Sequence, residues 1–198
     1  MSSTKLVLGV VIAVASGCGG VDPPADATPP RDVVCGSSPI EVLPNGGFDD
    51  SSPLWTQDPV TPSFLCDMSV IMPASGTKAA CLGNTDGTVR TLTQQIKLPA
   101  GAKSVTISGQ RCISTQETAT ADNDVLSFEL LDGSTVISSM LTLSNQQGVA
   151  ACEFSSFTAT KPVTADPIVA TLRLRSTLDS ARTTTFFIDS LSLKVSCQ

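Results

Sequence analysis

The sequence has no histidine and no tyrosine in 198 residues, and only 12 of its residues are lysine or arginine. Without histidine, the chain lacks the commonest general base at neutral pH and the commonest zinc ligand. The formal net charge is −6 and the basic residues are scattered. This argues against nucleic acid as a partner, because phosphate binding needs a concentrated basic surface. Helical apolar periods are also missing, and an alternation with a period of two recurs instead, which predicts an all-β protein.

The first 17 residues form a candidate export signal. One lysine is followed by an apolar run over residues 6–15, which is too short to span a bilayer as a helix. The run ends in the small residues Ala15, Ser16 and Gly17 directly before Cys18, and this ending resembles the processing site of bacterial lipoproteins. The resemblance implies cleavage before Cys18, lipid on its sulfur, and an outer-membrane or cell-surface location. The alternative is an ordinary signal peptide cut near Ala15, with Cys18 as a stray thiol.

Residues 18–32 are dominated by proline and small polar residues, as in the run VDPPADATPPRD. Such a segment has little to bury, and it predicts a semi-rigid tether rather than a folded element. The folded domain is then expected over residues 33–198. It contains six further cysteines, and an even number in an exported chain indicates disulfides. No two of them have C-x-x-C spacing, which disfavours a metal site, and spacing alone does not choose the pairs: Cys35, Cys66, Cys81, Cys112, Cys152 and Cys197.

The domain reads as about ten short strands separated by turn residues. Asp132-Gly133 is a hairpin signal between two of them. This number of strands at regular spacing favours a sandwich or a barrel over a parallel sheet with helices. The predicted strands are residues 40–43, 64–72, 78–82, 92–98, 105–113, 125–131, 136–143, 149–157, 168–175 and 184–195.

Three segments of the domain resemble the galactose-binding-like jelly rolls, a group that includes many carbohydrate-binding modules. Residues 43–49 read LPNGGFD with Trp55 soon after, residues 92–102 read LTQQIKLPAGA, and residues 185–193 read TFFIDSLSL. They are similar to an opening N-G-x-F-E/D motif before a tryptophan, an L-x-Q-x-I/V-x-L-P-A-G segment and a closing F-x-I/V-D-D/N-V-x-L strand. The resemblance covers residues 40–195 and implies a two-sheet antiparallel β-sandwich, the jelly roll.

The same resemblance implies one structural calcium ion bound by Asp49 and Asp189, with Ser190 standing where a second acid is common. Two carboxylates and loop carbonyls suit calcium, which takes oxygen ligands. The alternative is that both aspartates are turn and strand-end residues that hydrogen-bond the backbone. Placed on this fold, the cysteines are expected to pair as Cys35 with Cys197, Cys66 with Cys81, and Cys112 with Cys152.

The function expected from the resemblance is a lipid-anchored, non-catalytic surface protein that binds a glycan and is joined to the membrane through Cys18. Trp55 is expected in the core, where the family places a tryptophan. Arg173 and Arg175 point outward from a predicted strand and are candidates for a polar binding face. The favoured explanation of both is that they are solvated side chains or partners of nearby acids. The sequence does not identify the ligand-binding residues.

Two other functions are open at this stage. The domain can be a structural or adhesive envelope protein that binds a protein partner, which fits the low aromatic content of 4%. An enzyme is disfavoured, because no G-x-S-x-G nucleophile motif is present. Glu117, Asp122 and Asp124 are the acids of one polar loop. Asp122 and Asp124 could place two carboxylates together, but acids at this spacing are most often solvated, or calcium ligands at best.

Overall fold

The computed structural model of the chain describes residues 36–49, 54–118, 120–148, 152–163 and 169–198. The predicted leader, the tether and Cys18 lie outside these residues. Within the described ranges, no helix is both long enough and apolar enough to cross a membrane. A short 3₁₀ helix covers Asn145–Gln147. The strands are β1 (Ile40–Glu41), β2 (Thr56–Asp58), β3 (Leu65–Asp67), β4 (Lys78–Gly83), β5 (Val89–Lys97), β6 (Ser104–Thr115), β7 (Val125–Asp132), β8 (Thr135–Ser144), β9 (Ser155–Pro162), β10 (Val169–Thr177) and β11 (Thr184–Ser196).

The strands form two antiparallel sheets. The first sheet has the order β3-β4-β11-β6-β9, with β1 also paired to β11, and the second has the order β2-β5-β10-β7-β8. The long central strands β11 and β10 come from the end of the chain and pair with strands from its middle. This arrangement confirms the predicted all-β fold with two antiparallel sheets.

The core lies between the two sheets and is filled by alternate residues of each strand. On β10, Leu172 and Leu174 are fully buried while Arg173 between them faces outward. On β5, Leu92 and Ile96 are buried in the same way. Because side chains alternate across a strand, the period of two in the sequence is the direct cause of this packing.

Two strands share one edge of β11, and the middle of β11 lies between them. β4 pairs near the start of β11 and β1 pairs near its end. Between these pairings the register of β11 against β6 shifts, and Ser190 has a φ of 50°. The opening motif approaches here: the Leu191 N–H donates to the Gly46 carbonyl at 2.8 Å. A Cβ on Gly46 would overlap the Leu191 carbonyl, which explains why this position of the motif is glycine.

Trp55 is buried in the core, as the sequence predicts, and is 7% exposed. Its ring lies 5.2 Å from that of Phe48, measured between centroids, and its indole N–H donates to the Asn45 carbonyl at 3.0 Å. The tryptophan therefore fixes the opening motif to the sandwich and offers no face to a ligand.

Two predicted strands are wrong in extent. The strand predicted at residues 64–72 is only β3, because Asp67 ends it: the Asp67 carboxylate accepts the Ser69 N–H and the Asp67 carbonyl accepts the Val70 N–H. The hydroxyl of Ser69 is also the largest cause that lowers the pKa of Asp67. The strand predicted at residues 149–157 begins at Ser155 as β9, while residues 149–151 lie outside the described ranges. The short strand β2 was missed.

The disulfides belong to the first sheet. Cys66 is bonded to Cys81, which joins β3 to β4, and Cys112 is bonded to Cys152, which joins β6 to the segment before β9. These are two of the pairs that the resemblance implies. Phe187 of β11 lies between Cys81 and Cys112, and the three side chains form a small apolar cluster apart from the main core.

The third expected pair joins the two ends of the domain. Cys197 is disulfide-bonded. Its expected partner, Cys35, lies outside the described residues, so the bond between Cys35 and Cys197 stays a prediction.

Candidate functional site

Asp189 lies at the register shift of β11 and is fully buried. Both oxygens of its carboxylate accept hydrogen bonds from the backbone: Oδ2 from the Ser75 N–H at 2.7 Å, and Oδ1 from the Ser190 N–H at 2.5 Å. Hydrogen bonds to a charged acceptor are stronger than those between neutral groups. Asp189 therefore anchors the loop that precedes β4.

Asp49 reaches the same loop from the opening motif. Its Oδ1 accepts the Thr77 N–H at 2.6 Å and the Lys78 N–H at 3.0 Å. The hydrogen bond from the Thr77 backbone is the largest cause that holds the pKa of Asp49 below its ordinary value. Gly76 has a φ of 61°, and a Cβ there would overlap the Asp49 carboxylate. We call residues 75–77 the anchored loop.

The two aspartates predicted to bind calcium thus meet at one loop, but backbone N–H groups already occupy both oxygens of Asp189 and Oδ1 of Asp49. Neither Asp49 nor Asp189 has a buried oxygen without a hydrogen-bond partner among the described residues. This arrangement is the backbone-bonded alternative recognised in the sequence. The residues do not require an ion in this geometry, and calcium at Asp49 and Asp189 stays a prediction.

A second acidic group lies where two loops meet. Among the described residues, one set of three acidic side chains has a carboxylate oxygen from each within 4.8 Å of the others: Glu117, Asp124 and Asp179. Glu117 follows β6, Asp124 precedes β7, and Asp179 follows β10. We call these residues the acidic cluster. Three oxygen-donating side chains at this spacing can hold a metal ion.

Sequence reasoning found this cluster only in part. It grouped Glu117, Asp122 and Asp124 as the acids of one polar loop. In the structure Asp122 is exposed, and Asp179 joins the cluster from a distant part of the chain. The only local signal for Asp179 is its position directly after a strand that the alternation predicts.

The outer face of the second sheet is polar. Arg173 forms an ion pair with Glu129 across β10 and β7, with nitrogen-to-oxygen distances of 2.7 and 2.8 Å. Thr93 lies beside Arg173 on β5, and Arg175 is exposed two residues further along β10. Arg173 is thus paired with an acid, as one of its two sequence interpretations proposed, and Arg175 faces solvent. We call this surface the polar face.

The polar face runs between two grooves. One groove lies beside the open half of β5 and includes Glu41, Gln95 and Lys97. The other lies between β8 and β9 and includes Ser139 and Lys161. Hydroxyl, amide and charged groups are therefore available across the whole width of the sheet.

No aromatic ring lies open on this surface. All seven phenylalanines and the single tryptophan fall within the described residues, and each is buried or half-buried. Phe128 and Phe157, for example, contact each other with ring centroids 5.4 Å apart. A ligand on the polar face would therefore be held by hydrogen bonds and charge, because no ring is available for stacking.

Three solved structures share this fold with TM-scores slightly above 0.5. The tandem CBM22-1–CBM22-2 domain of Xyn10C from Paenibacillus barcinonensis has a TM-score of 0.51 at 13% identity, over 82% of this chain and 47% of that one. The enzymatically active domain of tailspike protein 4 from bacteriophage CBA120 has a TM-score of 0.52 at 13% identity, over 79% of this chain and 21% of that one. An arabinose-bound GH51 α-L-arabinofuranosidase has a TM-score of 0.52 at 12% identity, over 78% of this chain and 26% of that one.

This chain therefore spans half or less of each of those three chains. Other carbohydrate-binding modules, of groups 61, 22 and 4, are also among the structural neighbours. No protein-family model matches the sequence. No curated protein matches it significantly. At these identities the likeness identifies the fold, a β-sandwich like that of carbohydrate-binding modules, and leaves function to the site.

Proposed function

We propose that this chain is a non-catalytic binding protein whose β-sandwich holds a glycan on its polar face. The observation that supports this proposal is the arrangement of polar side chains on that face. Thr93, Arg173 and Glu129 lie side by side on three neighbouring strands, and a mainly polar groove borders the sheet at β8. Such groups can donate to and accept from sugar hydroxyls. The likeness to a tandem of carbohydrate-binding modules supplies the fold but no ligand.

The test is a glycan array probed with the full-length chain, purified with its disulfides formed. Arg175→Gln removes an exposed charge from the polar face and should weaken binding, because charged hydrogen bonds are the strongest that this face offers. Lys194→Gln is the matched control, since Lys194 is exposed on the outer side of the first sheet. Loss of binding in both variants, or in neither, would contradict the proposed face.

A protein partner is the second candidate, and one segment favours it. Met68, Val70 and Met72 follow β3 and are 58%, 63% and 79% exposed. Exposed apolar side chains close together often mark an interaction site. Replacing the three with serine should abolish crosslinking to a partner on intact cells, while glycan binding stays unchanged.

We also propose that the protein is exported and held at the outer membrane or cell surface by lipid on Cys18. The disulfides of the described domain support export, because such bonds persist in oxidising compartments. Acylation of one cysteine by several chains gives a lasting anchor. Cys18→Ser should release the protein from the membrane fraction and abolish labelling by a fatty-acid analogue.

Calcium at Asp49 and Asp189 remains part of the proposal and has a separate test. If an ion replaces the backbone donors there, Asp189→Asn should remove one equivalent of bound calcium. Unchanged calcium stoichiometry in that variant would show that the anchored loop is held by hydrogen bonds alone.

A further inference from the structure

The acidic cluster brings three negative charges together without a cationic partner. Its members come from two loops, Glu117 and Asp124 from the segment between β6 and β7 and Asp179 from the segment between β10 and β11. Within the described part of the chain, the only ion pair joins Arg173 and Glu129. Like charges this close repel each other, and a bound cation would offset this repulsion.

The basic residue nearest in sequence to the cluster does not supply the missing charge. Arg182 follows Asp179 by three residues, but its guanidinium donates to the carbonyl of Gln116 at 3.2 Å. That contact orders the loop backbone next to Glu117. It leaves the acidic cluster without a basic side chain paired to it among the described residues.

Asp124 is the member that most needs a partner. It is 0% exposed, and its Oδ2 has no hydrogen-bond donor among the described residues. The Oε1 atom of Glu117 is also buried without a donor. A buried carboxylate oxygen with no donor is costly, since it loses its hydration and gains nothing in return. Two such oxygens within one cluster point to a group that both of them contact.

The backbone holds the cluster in place independently of any ligand. Asn145 fixes Asp124 from both sides: its side-chain oxygen accepts the Asp124 N–H at 3.2 Å, and its own N–H donates to the Asp124 carbonyl at 3.1 Å. The Asp179 N–H donates to Oδ1 of Asp124 at 2.8 Å, which draws the two loops together. The carboxylates are therefore preorganised before any ion binds.

We propose that Glu117, Asp124 and Asp179 bind one calcium ion. All three are hard oxygen donors, and neither histidine nor cysteine belongs to the cluster. Calcium takes about six to eight oxygens in flexible geometry, which three carboxylates and surface water can supply. Glu117 and Asp179 are half-exposed and leave the ion a route from solvent. The ion would clamp the loop after β6 to the loop after β10.

This site shares no residue with Asp49 and Asp189, and it does not depend on glycan binding. Its test is calorimetric titration of calcium into the full-length, oxidised, chelator-treated chain. Asp124→Asn and Glu117→Gln should each weaken binding at this site by at least about tenfold, because affinity follows the number of charged ligands. Asp122→Asn should leave binding unchanged, since this exposed acid of the same loop lies outside the cluster.

Circular dichroism of each variant shows whether it is folded. Glu117→Gln serves as a second variant if Asp124→Asn does not fold, because Glu117 is only half-buried. Calcium binding that survives in Asp124→Asn and Glu117→Gln but disappears in Asp49→Asn would overturn the proposal in favour of the other pair. A folded wild-type chain that binds no calcium would also overturn it.

Discussion

Asp189 and Asp124 are both fully buried carboxylates, but their surroundings differ. Each oxygen of Asp189 accepts a backbone N–H, and Asp49 beside it accepts further donors from the anchored loop. Asp124 has one oxygen bonded to the Asp179 N–H and one with no donor in the described structure. A carboxylate that is fully hydrogen-bonded organises the chain around it, whereas one that is half-satisfied leaves room for a ligand.

The difference follows from where each acid lies. Asp189 occupies the middle of β11, where the register shift frees a backbone N–H at Ser190 and the anchored loop presents another. Asp124 lies at a strand end, where its neighbours in space are two more acids. Backbone donors offset the burial of charge at Asp189, whereas the buried charge of Asp124 needs a cation.

The largest expected effect is that of Asp189→Ala on stability. Removing the carboxylate leaves the Ser75 and Ser190 N–H groups without their acceptor in a buried region, which should cost about 3 kcal/mol or more of the free energy of unfolding. Urea unfolding under oxidising conditions measures this. Asp189→Asn should cost less, because an amide oxygen can keep one of the bonds. A loss below about 1 kcal/mol in Asp189→Ala would show that these bonds do not organise the loop.

Gly76→Ala tests how tightly the anchored loop fits against Asp49. Alanine at this position would have to adopt a positive φ, and its Cβ would displace the Asp49 carboxylate from Thr77. We therefore expect the free energy of unfolding to fall by about 2 kcal/mol. Gly133→Ala is the matched control, because Gly133 has a φ of 56° with open space around it. Gly133→Ala should lower the free energy of unfolding only by the cost of the positive φ, about 1 kcal/mol. Equal losses in the two variants would mean that Asp49 moves at no cost.

Gln94 extends the comparison to a neutral group. It is 3% exposed on the inner side of β5, and neither atom of its amide has a hydrogen-bond partner among the described residues. Gln94→Met keeps the length of the side chain and removes the unsatisfied amide, so it should raise the free energy of unfolding by about 1 kcal/mol. Gln110→Met should give no gain, since the Gln110 amide donates to Ser156. Destabilisation by Gln94→Met would imply that the amide has a partner such as buried water.

The smallest expected effect concerns pH. The backbone of Thr77 holds the pKa of Asp49 below the 3.8 of an ordinary aspartate. The stability that Asp49 contributes is therefore fully present above 3.8 and is lost as pH falls through its lower folded pKa. Asp49→Asn should flatten this part of the acid unfolding curve and change little at neutral pH. Asp58→Asn serves as the control for an exposed aspartate on the same domain.

Much of the fold followed from local pattern. Alternation placed Leu172 and Leu174 inside and Arg173 outside, and the tryptophan after the opening motif was correctly assigned to the core. The strand prediction succeeds because a strand's two faces are set by neighbouring residues. The Trp55 prediction succeeds because the opening motif resembles that of the jelly rolls. The predicted end of β3 was wrong because the side chain of Asp67 forms a turn within an apolar stretch.

The acidic cluster lay beyond what the sequence could predict. Glu117 and Asp124 share one loop, but Asp179 reaches them only because β10 lies beside β7 in the second sheet. That pairing depends on sheet order, which local periodicity does not contain. The Asp124 N–H likewise donates to Asn145, the first residue of the 3₁₀ helix after β8, which is distant from it in sequence.

The contrast between the two buried carboxylates is tested most directly by thermal unfolding of the full-length wild-type chain, Asp124→Asn and Asp189→Asn, each with calcium and with chelator. We expect calcium to raise the Tm of the wild type and of Asp189→Asn by several degrees, because an ion that binds only the folded state stabilises it. The part of the rise that is due to the acidic cluster should be lost in Asp124→Asn, whose Tm in chelator should equal or exceed that of the wild type. A calcium shift that persists in Asp124→Asn and disappears in Asp189→Asn would contradict the account.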